Sequence, residues 1–294
     1  MPAAMPLLRC FSSLAVASSF FVSGGSVAAE APRVAATIFP LYDIVREVGG
    51  PAIVPVLVLP PGASPHTFEP LPSSARALAR ASVLLRIGHG LDDWAAQLAE
   101  ASGVQRVVEV DAGVRLRHFA DGGVDPHYWL ACGNAKAMAR TVSAEIIRIA
   151  PGQRAAIEGR LSRYLERLDA ADAQVRRILK DLPSRSIATL HDGFGYFADA
   201  YGLNVAAIFE PSGDRDPSPR AVAEFQRRVR AANVRAIFVE PQLSKDAINP
   251  IAGDLGLPVV TLDDLGGIPG RDSLVALLLY DASQVAEGLR GAQR

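Results

Sequence analysis

Cysteine is nearly missing from this chain: 294 residues hold two, Cys10 and Cys132. A disulfide framework is therefore excluded as the basis of the fold, which must rest on its apolar core. An excess of one charge sign is missing as well. Lys and Arg number 30 against 31 Asp and Glu, for a net charge of -1. No basic stripe interleaved with aromatics occurs, and aromatics make up 6% of the residues, so nucleic acid is not an expected partner. No hydrophobic run reaches the roughly 20 residues that a membrane-spanning helix needs. H-E-x-x-H, paired C-x-x-C, G-x-S-x-G and phosphate-loop patterns are absent, which removes the commonest sequence routes to a hydrolase or a nucleotide enzyme. Histidine is scarce, with five residues in all.

What is present begins with an export signal. Arg9 supplies a positive flank, Leu14 to Val22 a short apolar stretch, and Val27-Ala28-Ala29 a small-residue cleavage pattern. Residues 1–29 are read as a signal peptide and the mature protein as periplasmic. Cys10 lies ahead of the apolar stretch, the wrong place for a lipidated cysteine, so no membrane anchor is expected. Cleavage leaves Cys132 alone, read as a small buried hydrophobe.

After residue 30, short β-type runs alternate with amphipathic stretches of helical period. Val34–Phe39, Ile53–Leu59, Val83–Ile87 and Arg106–Val110 read as strands in the first half. Ser186–Leu190, Val205–Phe209, Arg235–Val239 and Pro258–Leu262 do so in the second. Between the halves run a helix over 134–149 and a longer one over 154–182. The pattern predicts an α/β protein with two parallel-sheet lobes of (βα)4 type, joined by one long backbone helix. The expected division is an N-terminal lobe over 30–150, the linking helix over 151–183 and a C-terminal lobe over 184–294. Ser218 is the expected cap and Pro219 the first residue of a later helix.

Four metal-ligating side chains fall just beyond strand ends. His66 follows the second strand, and His127 follows the fourth, within Asp125-Pro126-His127-Tyr128-Trp129-Leu130. His191 directly follows the fifth strand and Asp263 the last. In parallel α/β sheets ligands gather beyond the carboxyl ends of strands, so two residues from each half could converge in the cleft between lobes. Three imidazoles and one carboxylate satisfy tetrahedral zinc. Four protein ligands leave no position for an activated water, which favours a binder over an enzyme. Asp264 stands beside Asp263 as a second candidate carboxylate. Glu240 is an expected partner for a metal-bound imidazole. His89 and His118 read as structural or surface residues.

Residues 34 to about 290 resemble the metal-specific solute-binding proteins of bacterial zinc and manganese ABC importers. The motifs that carry the resemblance are Pro65-His66-Thr67-Phe68-Glu69-Pro70, the Asp125–Leu130 stretch, His191-Asp192-Gly193-Phe194-Gly195-Tyr196-Phe197, Glu240-Pro241-Gln242 and Thr261-Leu262-Asp263. The resemblance implies metal held between two lobes by His66, His127, His191 and Asp263. It also implies delivery to a membrane permease with its ATPase by a chain acting as a monomer. Histidine at the third ligand place goes with zinc in that family, and glutamate with manganese, so Zn2+ is the expected cargo and Mn2+ the alternative. Ala131-Cys132-Gly133 departs from the family pattern, and the loop before residue 125 is short. A zinc-dependent hydrolase with Glu240 as base, and an adhesin or metallochaperone, are the rival readings.

Overall fold

The computed structural model describes Met1, residues 30–210 and residues 218–291. The expected signal peptide, with Cys10, lies outside the described residues. Ala31–Arg294 packs as one compact unit.

Among the described residues, eight strands form two sheets, each four-stranded and wholly parallel. The first contains β1 (Arg33–Ala36), β2 (Val54–Leu57), β3 (Ala81–Arg86) and β4 (Val107–Glu109), in the order β2-β1-β3-β4. The second contains β5 (Ser186–His191), β6 (Asn204–Glu210), β7 (Ile237–Val239) and β8 (Val259–Thr261), in the order β6-β5-β7-β8. Both sheets thus follow one connection pattern. Parallel pairing needs a crossover between strands, and the chain supplies helices: α1 (Phe39–Gly49), α2 (Pro72–Leu78) and α3 (Trp94–Ala101) in the first lobe. The central strands are apolar on both faces, as helix-covered strands must be: Val83, Leu84 and Leu85 are all buried, as are Ile237, Phe238 and Val239.

The link between sheets is α4 (Cys132–Ile149) followed by α5 (Arg154–Ile178). At 1.5 Å per residue α5 spans about 37 Å. It is four residues shorter than its periodicity suggests, because the chain turns at Leu179–Asp181, where Asp181 adopts φ +55°. It is also not a bare rod. Ile157, Tyr164, Leu168, Ala171 and Val175 are buried in the core, and α5 packs along α1, α4 and α9 (Leu274–Arg290).

The second lobe adds α6 (Gly195–Tyr201), α7 (Pro219–Ala231) and α8 (Ile248–Leu255). Ser218 caps α7, its side chain accepting the Ala221 N–H at 3.2 Å, with Pro219 in the first turn as expected. One hydrophobic cluster runs through both lobes. It joins Tyr128, Trp129 and Leu130 to Phe194, Phe197, Leu262 and Leu265. A continuous apolar seam of this kind resists wide separation of the lobes. No described helix is long and apolar enough to cross a membrane.

Candidate metal centre

His66, His127 and His191 come together from three strand ends. Their ligand nitrogens all lie within 4.8 Å of one another. His66 Nε2 is 3.2 Å from His127 Nε2, and His191 Nε2 is 3.3 Å from the same atom. A tetrahedral zinc with Zn–N bonds of about 2.0–2.1 Å places its ligand nitrogens about 3.3–3.4 Å apart. The two edges therefore have the length that such an ion requires.

Local chemistry aims each ring. Pro126 has no N–H, so the Asp125 carboxylate reaches the next donor along the chain. Its Oδ1 accepts the His127 backbone N–H at 3.0 Å and the ring Nδ1–H at 2.9 Å. An ionised carboxylate only accepts, so Nδ1 carries the proton and Nε2 presents its lone pair to the site. His127 and Asp125 are both buried. His191 repeats the device within the second lobe: its Nδ1 donates to Glu240 Oε1 at 2.7 Å, and Glu240 is fully buried just after β7. Gly193 makes room for that ring, since a Cβ there would sit 2.5 Å from His191 Cε1. His66 lies in the loop after β2. The Pro65 carbonyl accepts the Trp94 indole N–H at 3.0 Å, and Phe68 meets the Trp94 ring edge-on at 4.8 Å, which fixes the loop.

The rings differ in electrostatics. Burial opposes charge on His191. Glu240, by its charge and hydrogen bond, outweighs that effect, with help from Asp264 and Asp192, and the imidazole is pushed up to about 9. His66 is exposed by surface area at the cleft mouth but crowded around its ring. That desolvation, followed by the charges of His127 and His191, takes it down to about 3.

Like Asp264, Asp263 lies outside the group of three histidines whose ligand atoms are within 4.8 Å of one another. It is buried, and both of its oxygens are committed. Oδ1 accepts from the N–H groups of Leu265 and Gly266 at 3.0 Å each, and Oδ2 pairs with Arg271 Nη1 at 2.9 Å. The expectation of Asp263 as fourth ligand meets a carboxylate that already closes its own turn and neutralises an arginine. The neighbouring Asp264 is also buried. Burial raises its pKa, while His191 and His127 pull it back down. Gln242 donates to Asp264 Oδ1, and the Asp264 carbonyl accepts the Trp129 indole N–H at 2.6 Å. Asp264 is thus the last-strand carboxylate that feels the histidines and is tied to the His127 stretch.

Three features were not singled out from sequence: Asp125 as the partner of His127, the Trp129–Asp264 contact, and the commitment of Asp263 to its turn. The D-P-H spacing contained the first. The Ala131-Cys132-Gly133 departure lies behind the site. Cys132 starts α4, its Sγ accepts from the Tyr201 hydroxyl at 3.4 Å, and burial pushes its thiol up to about 11, which keeps it inert. His118 forms a β-bridge with Val124 at the base of a hairpin. A second grouping joins His89, Glu109 and Asp111, with His89 Nε2 3.1 Å from Asp111 Oδ2. There Arg86 already holds Glu109, so the cluster is an ion-pair arrangement at the ends of β3 and β4.

Residues 34–288 match the model of the family described as zinc-uptake complex component A, periplasmic. The chain belongs to this family. Among curated relatives, the manganese ABC transporter substrate-binding lipoprotein PsaA of Streptococcus anginosus is 26% identical over 275 residues, covering 87% of this chain and 89% of the relative. Among solved structures, ZnuA aligns with a TM-score of 0.81 at 26% identity, covering 87% of this chain and 98% of that one. A zinc-bound ZnuA deletion mutant aligns with a TM-score of 0.81 at 25% identity, covering 89% and 99%. The family is one of transporter substrate-binding components with two parallel-sheet lobes and a long connecting helix. A buried carboxylate behind each of two of the clustered imidazoles suits that role, because it fixes the orientation of the ring before an ion arrives. Replacing Glu240 with glutamine is expected to weaken metal binding about 10–100-fold, the usual cost of losing such a partner. Chelator competition measures it, and unchanged affinity would mean that Glu240 does not aim His191.

Proposed function

We propose that this chain is the exported zinc-binding component of an ABC importer and that His66, His127, His191 and Asp264 hold the ion. In this reading the mature protein begins near residue 30, and the lobes of 30–150 and 184–294 grip the metal at their junction. The chain then hands it to a membrane permease driven by an ATPase. The observation that carries the reading is the convergence of three imidazoles, with His127 Nε2 at tetrahedral edge distances from the Nε2 atoms of His66 and His191.

The donor set favours zinc over manganese. Imidazole suits zinc, whereas carboxylate and water suit manganese, and three of the four proposed donors are imidazoles. Since relatives include a protein named for manganese, the donors must decide. Competitive titration of the metal-free protein with zinc and manganese, repeated on His191→Ala, tests this. Zinc is expected to win for the parent and to lose most of its advantage in the variant. Equal affinity of the parent for both metals would refute the zinc assignment.

A hydrolase would need an open metal position and a free base. Glu240, the residue proposed for that base, is spent on His191 Nδ1. That supports cargo binding over catalysis.

The pH dependence follows from His191. An ordinary imidazole would lose metal below about pH 6. With His191 raised to about 9, the metal-free protein holds a proton on this ring at neutral pH. Metal must displace it from Nε2, so binding at pH 7.5 is expected to release close to one proton, and affinity to rise with pH until about 9. Stability of the metal-free protein runs the other way. The raised pKa makes a contribution that is complete below the unfolded value and fades as pH climbs through about 9. Calorimetry in buffers of different ionisation enthalpy counts the proton; no net release at pH 7.5 would contradict a protonated His191.

A further inference from the structure

Behind His127 a hydroxyl of the second lobe reaches into the first. Residues 117–125 form a small hairpin of the first lobe, closed by the Asp125 N–H donating to the Arg117 carbonyl at 2.9 Å and by the His118–Val124 bridge. Tyr196, on α6 of the second lobe, inserts its hydroxyl at the base of this hairpin. The hydroxyl donates to the Asp125 carbonyl at 3.0 Å and accepts the Arg117 N–H at 2.6 Å. One oxygen thus holds both strands of the hairpin. The Arg117 side chain turns back in the same place. Its Nη1 pairs with Asp125 Oδ2 at 3.1 Å and its Nε with Asp199 Oδ2 on α6 at 3.2 Å. Asp125 in turn spends its other oxygen on the backbone and ring of His127.

The start of α6 is shaped for this guanidinium. A Cβ on Gly195 would lie 2.3 Å from Arg117 Nη1 and 2.4 Å from its Cζ. Gly195 has no positive φ, so backbone conformation does not demand glycine there. A side chain there would instead push the Arg117 guanidinium out of its place.

We propose that Tyr196 and Arg117 are positioning residues that clasp the His127 loop to the second lobe, so that seating α6 and holding metal on His127 are one event. The inference rests on the metal-site reading above and adds what governs retention of the ion. Asp125 alone could aim His127 within its own turn. The clasp instead fixes that turn relative to His191, whose strand leads directly into α6, and so sets the spacing of two ligands that come from different lobes.

The test is the rate of zinc release into excess chromophoric chelator from the zinc-loaded protein. Tyr196→Phe removes the hydroxyl without changing charge or ring packing. Arg117→Lys keeps the charge but loses the fork that spans two carboxylates. Both are expected to release zinc at least about tenfold faster, in line with the loss of partners that orient ligands. Gly195→Ala adds a discriminating arm. Its added Cβ would displace the Arg117 guanidinium while Tyr196 and Arg117 are both retained, so zinc release is again expected to quicken. A merely structural role for the clasp would lower the melting temperatures of metal-free and zinc-loaded protein equally and leave the release rate alone. Release within twofold of the parent in both Tyr196→Phe and Arg117→Lys would overturn the clasp. His127→Ala separates this from failure of the site itself: a variant that still binds zinc as the parent does would overturn the metal-site reading, whatever the clasp variants do.

Discussion

Replacing His127 with alanine is expected to lower zinc affinity about 100-fold or more, the share of one ligand in a site whose binding free energy is of order 10–16 kcal/mol. His127 Nε2 is the common vertex of the two short nitrogen contacts, so its loss leaves His66 and His191 without the ligand that bridges them. The fold should survive. The ring occupies a buried position beside Trp129, at 5.4 Å between centroids, and its polar partner is Asp125, which Arg117 also pairs. Removing the imidazole leaves Asp125 with that arginine and with the backbone N–H of residue 127. The measurement is the thermal shift on adding zinc. At a free concentration 100 times the parent Kd the parent gains about 2.7 kcal/mol, and a variant weakened 100-fold gains only about 0.4 kcal/mol. A parental zinc shift in the variant would remove His127 from the site.

Neighbouring aspartates are expected to respond in opposite ways. Asp264→Asn should lose zinc affinity by about 100-fold or more, for the same reason of ligand share, while the metal-free protein keeps or gains stability. The sign follows from burial. The Asp264 pKa is raised, so ionisation in the folded state is disfavoured relative to the unfolded chain, and a neutral amide relieves that cost at neutral pH. Asp263→Asn should instead damage the fold. It removes the charge facing Arg271, which stacks on Tyr280 at 4.4 Å and is itself largely buried. It also weakens the acceptor of two N–H groups that shape the turn. Breaking a buried pair from one side costs about 3–5 kcal/mol. Denaturant melts of the metal-free variants, set beside chelator competition, separate the two roles. Loss of zinc affinity in Asp263→Asn with parental stability, and none in Asp264→Asn, would return the ligand role to Asp263.

The choice between these two residues shows where reading along the chain stops. Strand-end logic brings a carboxylate to the end of β8, but Asp263 and Asp264 are adjacent and both follow an apolar strand. Which one turns toward the histidines depends on the turn that comes next. The Leu265 and Gly266 N–H groups and Arg271 capture the first, leaving the second beside Gln242 and within the field of His191 and His127. The Leu265 and Gly266 contacts are local, but the pairing with Arg271 has no fixed spacing that a sequence pattern would reveal.

Histidine position was far more legible. His66, His127 and His191 each follow an apolar run short enough to be a strand, and parallel sheets put every such end on one edge. The alternation of strands and helices likewise determined two parallel sheets, because a parallel pair cannot be closed by a tight turn and the intervening stretches have helical period. The Asp-Pro-His spacing already contained the orientation of His127, since proline leaves its neighbour's carboxylate to find the following N–H.

Tertiary structure alone decided what lies between the halves. The α5 periodicity foretold a long helix, but not that its apolar stripe would be buried along α1, α4 and α9. Nor did local pattern place Tyr196 at the base of the 117–125 hairpin, 79 residues from Arg117. Periodicity reports which side of an element is apolar, whereas a hydroxyl shared between lobes reports where two elements meet. The sequence by itself therefore determined the sheets, the histidines and the chemistry they offer a metal. The docking of one lobe on the other built the clasp, because it depends on contacts between segments that no local spacing relates.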